Sequence, residues 1–421
     1  MNVSIRYFNY IFLIYIFISI SSSGQLFAQE ASDTLKFIYP KEKSTSIRFE
    51  FINNLIVIPV SVNNSDTLRF ILDTGLRTSI ITELSMGDTL SLEYAKEMQL
   101  HGLGKGEPLD ALYSKGNTLS ISRIVGSNQD LYVLLQNIFH LSTKLGTRIH
   151  GLLGYSVFKN FIIEINYQKK IITFHNPKYY NYKKDKKAST IPLTVQNTKP
   201  YVILTITTED GSEIPVKLLI DTGAGHALWL DADSNEEISL PNNTIDSFLG
   251  SGLNGEIHGK IGRIKKLTIG KHEFNDIITL FPDSTSMGSS RGRDKRNGSL
   301  GTDVLHRFNI IIDYHNELMT LKPNMKFNKP FNYNMSGIEI AAPIPELPFY
   351  TIINIRKDSP ADRAGLKKGD GLYKLNHFRA LDLSLNDIYK LFLSKAGKKM
   401  KIIVLRNGMK YKTIFFLEKL I

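Results

Sequence analysis

The strongest constraint in this chain is an internal repeat. Phe70-Ile71-Leu72-Asp73-Thr74-Gly75 recurs as Leu218-Leu219-Ile220-Asp221-Thr222-Gly223, 148 positions later. Each copy follows a hairpin pattern: residues 55–62 and 67–72 flank Asn63-Asn64-Ser65-Asp66, and residues 201–207 and 214–220 flank Glu209-Asp210-Gly211-Ser212. Turn-forming residues between apolar runs are hairpin chemistry. A Gly-rich segment comes next in both copies: His101-Gly102-Leu103-Gly104-Lys105-Gly106, and Leu249-Gly250-Ser251-Gly252-Leu253-Asn254-Gly255. Then come Leu152-Leu153-Gly154 and Ser299-Leu300-Gly301, whose last glycines lie 81 and 80 positions after the Asp. Both copies close on a strand pair, residues 161–167 with 171–174 and 308–314 with 318–321. Five landmarks in one order at nearly equal spacing predict two like lobes, covering residues 51–175 and 200–323. Runs rich in Ile, Val, Thr, Phe and Tyr make the expected fold mainly β.

The repeated Asp suggests the chemistry. Each carboxylate emerges at the end of an apolar strand, against a dry core. Gly75 and Gly223 carry no side chain, so a second backbone can approach closely. If the lobes pack about a pseudo-twofold axis, Asp73 and Asp221 meet on it. Two carboxylates that close share one proton. One then activates a water and the other, protonated, polarises a peptide carbonyl. The hydroxyls of Thr74 and Thr222 suit cross-lobe hydrogen bonds that hold the loops rigid. Gly102, Gly104, Gly250 and Gly252 mark candidate flaps over an extended peptide.

On these motifs the two lobes resemble the retropepsin and pepsin clan of aspartic peptidases. The resemblance implies two closed, barrel-like β lobes, a cleft between them, and endopeptidase chemistry with no metal, cofactor or covalent intermediate. In that family the apolar–Gly stretch crosses behind the catalytic loop and supports it, a role that falls on Gly154 and Gly301. One position departs from the pattern. The residue after Gly is usually small or a hydroxyl: Ala224 fits and Leu76 does not. Leu76 offers no hydroxyl to the nearby carboxylate, which implies a raised pKa for the pair and a weakly acidic optimum. It leaves open a second reading, a non-catalytic peptide-binding scaffold with a relict cleft.

The third unit, residues 336–421, resembles a bacterial PDZ domain. It carries Ser359-Pro360-Ala361, Ala364-Gly365-Leu366, Gly369-Asp370 and a strand pattern ending at Asn376. Pro360 opens a short helix and Gly365 ends it. The resemblance implies a loop at Leu347-Pro348-Phe349-Tyr350 that receives a peptide carboxylate, and a strand at residues 351–355, including Ile352, that accepts a peptide C-terminus or an extended segment. The helix near residues 385–395 forms the other wall. Pro348 departs by removing one N–H donor.

The remaining features set compartment and partners. Arg6, an apolar run over residues 10–20 and Leu26-Phe27-Ala28 read as a signal peptide over residues 1–28. An uncleaved segment would be the one route to a membrane. The body is expected outside the cytoplasm: in the periplasm, in the envelope or secreted. The chain has no Cys, so its cores hold it without disulfides. The expected lobes span residues 31–177 and 190–328. Residues 178–189, with Lys183-Lys184-Asp185-Lys186-Lys187, read as a solvated linker. The net charge of +12 is spread along the chain with no nucleic-acid motif, so peptides or proteins are the expected partners rather than nucleic acid. His101, His226 and His258 show no metal-ligand spacing and read as ordinary packing or surface residues.

Overall fold

The computed structural model of the protein describes residues 34–84, 88, 90–93, 95–100, 108–252, 255–284 and 295–421. The signal-like segment, His101, Gly102 and Gly104 lie outside these residues. Among the described residues, four sheets account for the fold: one of nine strands in the first lobe, one of eight in the second, one of six shared between the lobes, and one of six in the C-terminal unit.

The two hairpins form with matching registers. Leu55–Val62 runs antiparallel to Leu68–Leu72, with Val57 opposite Ile71 and Ile58 opposite Phe70. In the second lobe Lys199–Thr207 pairs with Glu213–Asp221, with Tyr201 opposite Leu219 and Val202 opposite Leu218. Alternation stops just before each Asp. Phe70, Ile71 and Leu72 run buried without a break, and so do Leu218, Leu219 and Ile220. Both faces of the strand are covered there. In the first lobe the outer cover is a satellite cluster in which Ile71 and Val57 pack against Leu145 and Ile149.

The shared sheet carries the symmetry. Ile162–Asn166 of the first lobe lies antiparallel to Phe308–Asp313 of the second, with Ile163 opposite Ile312, Glu164 opposite Ile311 and Ile165 opposite Ile310. Outward from this pair come Ile171–His175 and Ser44–Arg48 on one side, and Leu318–Pro323 and Ser189–Pro192 on the other. The order reads alike from either end, as a pseudo-twofold axis through the central pair requires. Equivalent aromatic contacts cross the junction. The Tyr314 ring stacks on Phe158 at 5.5 Å, and Tyr167 meets His306 edge-on at 6.4 Å.

The linker is partly built into this sheet. Ser189 already belongs to a strand, and Tyr182 donates its hydroxyl to buried Asp313 at 2.5 Å. The lysines of the run at 183–187 are exposed.

In the C-terminal unit the strand order is Ile338–Ala341, Thr351–Ile355, Gly371–Leu375, Lys399–Arg406 and Met409–Phe416. Helix Pro360–Arg363 starts where Pro360 and Ser359 place it, with the Ser359 side chain accepting from the Asp362 N–H. Gly365 follows at φ +75°, the left-handed conformation that ends a helix. Helix Leu385–Phe392 buries Leu385, Ile388 and Phe392. Arg307 of the second lobe holds the segment that leads into the unit. Its guanidinium lies 3.5 Å from the centre of the Phe331 ring and donates to the carbonyls of Lys329 and Pro330.

Candidate active site

The two Asp-Thr-Gly loops meet between the lobes. In each lobe the strand before the Asp pairs in parallel with the apolar–Gly segment: Leu72 lies beside Leu153, and Asp221 beside Gly301. The Asp73 N–H donates to the Leu153 carbonyl at 2.9 Å. Gly154 and Gly301 sit where no side chain fits. A Cβ on Gly154 would lie 2.2 Å from the Leu76 carbonyl oxygen, and one on Gly301 would lie 2.2 Å from that of His226.

The threonines lock the loops together. Thr74 N–H donates to Thr222 Oγ1 at 3.1 Å, and Thr222 N–H donates to Thr74 Oγ1 at 3.0 Å. Each hydroxyl then donates across the junction, Thr74 to the Ile220 carbonyl at 2.5 Å and Thr222 to the Leu72 carbonyl at 2.8 Å. Both side chains are fully buried, so every one of these bonds satisfies a group that water cannot reach.

The carboxyls crowd the facing glycines. A Cβ on Gly223 would come within 2.3 Å of Asp73 Cγ, and one on Gly75 would lie 3.2 Å from Asp73 Oδ1 and 3.9 Å from Asp221 Oδ1. The Gly75 N–H donates to Asp73 Oδ1 at 2.7 Å, and the Gly223 N–H to Asp221 Oδ1 at 3.1 Å. Burial pushes the Asp73 pKa up, and the neighbouring Asp221 carboxyl adds to the rise; the Gly75 N–H and Lys199 oppose it. Burial also raises Asp221, against the pull of Arg296, the Gly223 N–H, Lys199 and the Ala224 N–H.

The raised Asp73 pKa has a consequence for stability. The folded state holds its proton more tightly than the unfolded state does. The contribution is therefore fully present below the unfolded carboxyl value and is lost as pH rises through the folded one. Asp73→Asn removes that loss. Its melting temperature should draw level with wild type in acid and exceed it by a few degrees above neutrality. Thermal melts across pH check the sign; a wild type that gains on the variant as pH rises would contradict it.

Leu76 has apolar partners. Its side chain packs with Ile80, Ala111 and Leu134, and its carbonyl accepts from the Tyr155 N–H at 2.9 Å. His226 is half-buried, with Nε2 3.0 Å from Ser299 Oγ, and desolvation by the surrounding protein pushes its pKa down to about 4. His258 is exposed beside Glu256 at 3.1 Å. Gly250 and Gly252 lie in the strand Ile245–Gly252, one arm of a long hairpin with Gly255–Ile269. The arms Ala95–Leu100 and Leu109–Ile121 flank the other Gly-rich segment.

Three residues near the two carboxyls have no counterpart among the sequence expectations. Asn54 donates from Nδ2 to the Gly225 carbonyl at 3.0 Å, which joins the first lobe's turn to the second lobe's loop. That turn has both residues at positive φ, Asn53 at 46° and Asn54 at 65°, matched by Asn197 at 52° and Thr198 at 70° in the other lobe. The paired Asn-Asn and Asn-Thr are the signal available in the sequence. Lys199 and Arg296 place positive charge near the carboxyls, and nothing in their local sequence marks them.

With this geometry in place, a family model described as aspartyl protease matches residues 58–157 and 204–304. The two lobes have the acid-protease fold. The two matched segments are the two halves of the internal repeat, and each contains one Asp-Thr-Gly and its apolar–Gly partner. No curated protein matches the chain. The family match supports a peptidase for these acid-protease lobes and does not extend to the C-terminal unit.

The C-terminal unit places its expected peptide-binding residues differently from the sequence reading. Thr351–Ile355 lies between Ile338–Ala341 and Gly371–Leu375, and its register pair with the latter is Thr351 with Gly371. Ile352 and Tyr350 are buried, and the Tyr350 hydroxyl donates to the Leu383 carbonyl at 2.6 Å. Leu347 and Phe349 are exposed, but the N–H groups of their loop are engaged. Leu347 N–H donates to Ile344 at 3.2 Å, Phe349 N–H to Leu347 at 2.7 Å, and Glu346 N–H to Gly146 at 3.2 Å. The edge strand on this side of the sheet is Ile338–Ala341.

Proposed function

We propose that the chain is an exported aspartic endopeptidase that hydrolyses peptide bonds with Asp73 and Asp221, and that its C-terminal unit is PDZ-like and receives peptides. The observation that carries the peptidase reading is the reciprocal Thr74–Thr222 lock, which fixes two carboxyls against each other's glycines. The raised pKa of both acids supports one shared proton. The ionised member takes a proton from water as the oxygen attacks the scissile carbonyl. The protonated member donates to the carbonyl oxygen, and the tetrahedral species collapses as a proton passes to the leaving nitrogen. Gly75, Gly223 and the threonines hold the carboxyls in place and take no part in proton transfer.

The apolar packing of Leu76 against Ile80, Ala111 and Leu134 supports an intact first lobe. The PDZ-like reading draws on the Ser359-capped helix, the buried Asp370 paired with Arg406 at 2.7 Å and helix Leu385–Phe392 beside the sheet. Export rests on residues 1–28, and the proposed substrates are proteins or peptides outside the cytoplasm.

Purified residues 29–421 should cut casein with a weakly acidic optimum. Cleavage assayed across roughly pH 3 to 8, a range that brackets carboxyl titration, tests this. An inert protein over that whole range would favour the scaffold reading, and a maximum below about pH 3 would contradict the raised pair.

A further inference from the structure

The Ile338–Ala341 edge of the C-terminal sheet is occupied by the protein itself. Along this strand and the residue that follows, each backbone group named here has a partner. Ile338 N–H donates to Ser336 Oγ at 3.1 Å, and its carbonyl accepts from Asn334 Nδ2 at 2.6 Å. The Tyr389 hydroxyl takes both groups of Ile340, accepting from the N–H at 3.2 Å and donating to the carbonyl at 3.0 Å. Ala342 N–H donates to the Thr143 carbonyl of the first lobe at 2.9 Å, and Glu346 N–H to that of Gly146 at 3.2 Å. A Cβ on Gly146 would lie 3.0 Å from Leu385 Cβ and 3.8 Å from Ala342 Cβ. The end of helix Leu141–Leu145 thus reaches both the edge strand and helix Leu385–Phe392.

We propose that the first lobe's residues 143–146, seated between Ala342 and Leu385, close one end of the groove between Ile338–Ala341 and helix Leu385–Phe392 and so hold off a peptide there. This rests on the reading of the C-terminal unit as a peptide receiver. The partner is an extended peptide segment that pairs with the edge strand through its backbone. To bind, it must displace the Thr143 and Gly146 carbonyls and move the Tyr389 hydroxyl from Ile340. Apparent affinity is then reduced by the fraction of molecules in which the edge is open. Displacement would also reach the catalytic half of the molecule. Leu141 and Leu145 pack in the cluster with Ile71 and Leu152, on the strand that ends at Asp73 and its parallel neighbour. Lys144 of the same helix stands 6.0 Å above the Phe248 ring in the second lobe's long hairpin.

Tyr389→Phe tests the occupancy. It keeps the ring beside Phe392 and removes the hydroxyl that caps Ile340. The probe is a synthetic library of random decapeptides with free C-termini. It is applied to residues 29–421 carrying Asp73→Asn, so that no peptide is cut, with and without Tyr389→Phe. The expected result is binding about tenfold tighter in the Tyr389→Phe protein, given two freed hydrogen-bonding groups. Hydrogen exchange on the protein with native Tyr389 gives a second measurement: amides of residues 141–147 should exchange faster when peptide is bound. Equal affinity in both proteins, with exchange at 141–147 unchanged, overturns the occupancy while leaving peptide binding intact. If no library member binds either protein, the peptide-receiving reading falls and this inference falls with it.

Discussion

Asp73→Asn and Asp221→Asn should each lower kcat/KM by about a thousandfold or more, with the fold retained. An amide cannot take the water's proton or hand one to the carbonyl oxygen, and positioned acid–base groups contribute roughly 10²–10⁴-fold each. The two acids work as one unit through a shared proton. The double variant should therefore be little worse than either single one. Neither change opens a cavity, because the amide matches the carboxyl in shape, and the Gly75 and Gly223 N–H groups can still donate to the amide oxygen. Kinetics on a fluorogenic peptide, paired with thermal melts, measure both halves of the expectation. A single variant cutting at the wild-type rate would remove the proposed dyad from the mechanism.

Thr222→Val should be the most damaging conservative change near the site that spares the carboxyls. Valine fills the same space but leaves the Leu72 carbonyl and the Thr74 N–H without their partner in a fully buried junction. Each buried group left unsatisfied costs about 1–3 kcal/mol, so the loss is about 2–6 kcal/mol. Thr74→Val strands the Ile220 carbonyl and the Thr222 N–H in the same way. Activity should fall with stability, since the loops that hold the acids are no longer fixed to each other. Thr222→Ser keeps the hydroxyl and should recover most of both. Urea midpoints and peptide turnover across the three variants provide the check. A Thr222→Val protein with native stability and turnover would show that the lock is dispensable.

The lobes are legible because their signals are local and occur twice. The apolar strand before each Asp, the turn residues of each hairpin and the apolar–Gly segment are short patterns whose spacing survives from one copy to the other. The matching hairpin registers and parallel pairings follow those landmarks. The short C-terminal helix is equally readable, since Ser359, Pro360 and Gly365 act on their own backbone. Leu76 is harder. Its residue type suggests a missing partner for the carboxyl, but its packing partners are Ile80, Ala111 and Leu134, which belong to other parts of the lobe. The outer strand on this side of the C-terminal sheet is Ile338–Ala341 and not Thr351–Ile355, for a similar reason. Strand order depends on which backbones pair, and side-chain pattern does not reveal that.

Sequence alone determined that this chain holds two like β lobes, each presenting an Asp at the end of a buried strand, followed by a third small unit. Periodicity and turn chemistry act over a few residues, so they can be read without knowing what lies across the fold. Only the tertiary structure decided which backbone groups Thr74 and Thr222 bond across the junction, that Lys199 and Arg296 bring charge to the acids, and that the Thr143 and Gly146 carbonyls of the first lobe meet Ala342 and Glu346 of the C-terminal unit. Those outcomes depend on contacts between residues far apart in the chain, where distance and burial set the energy of each group.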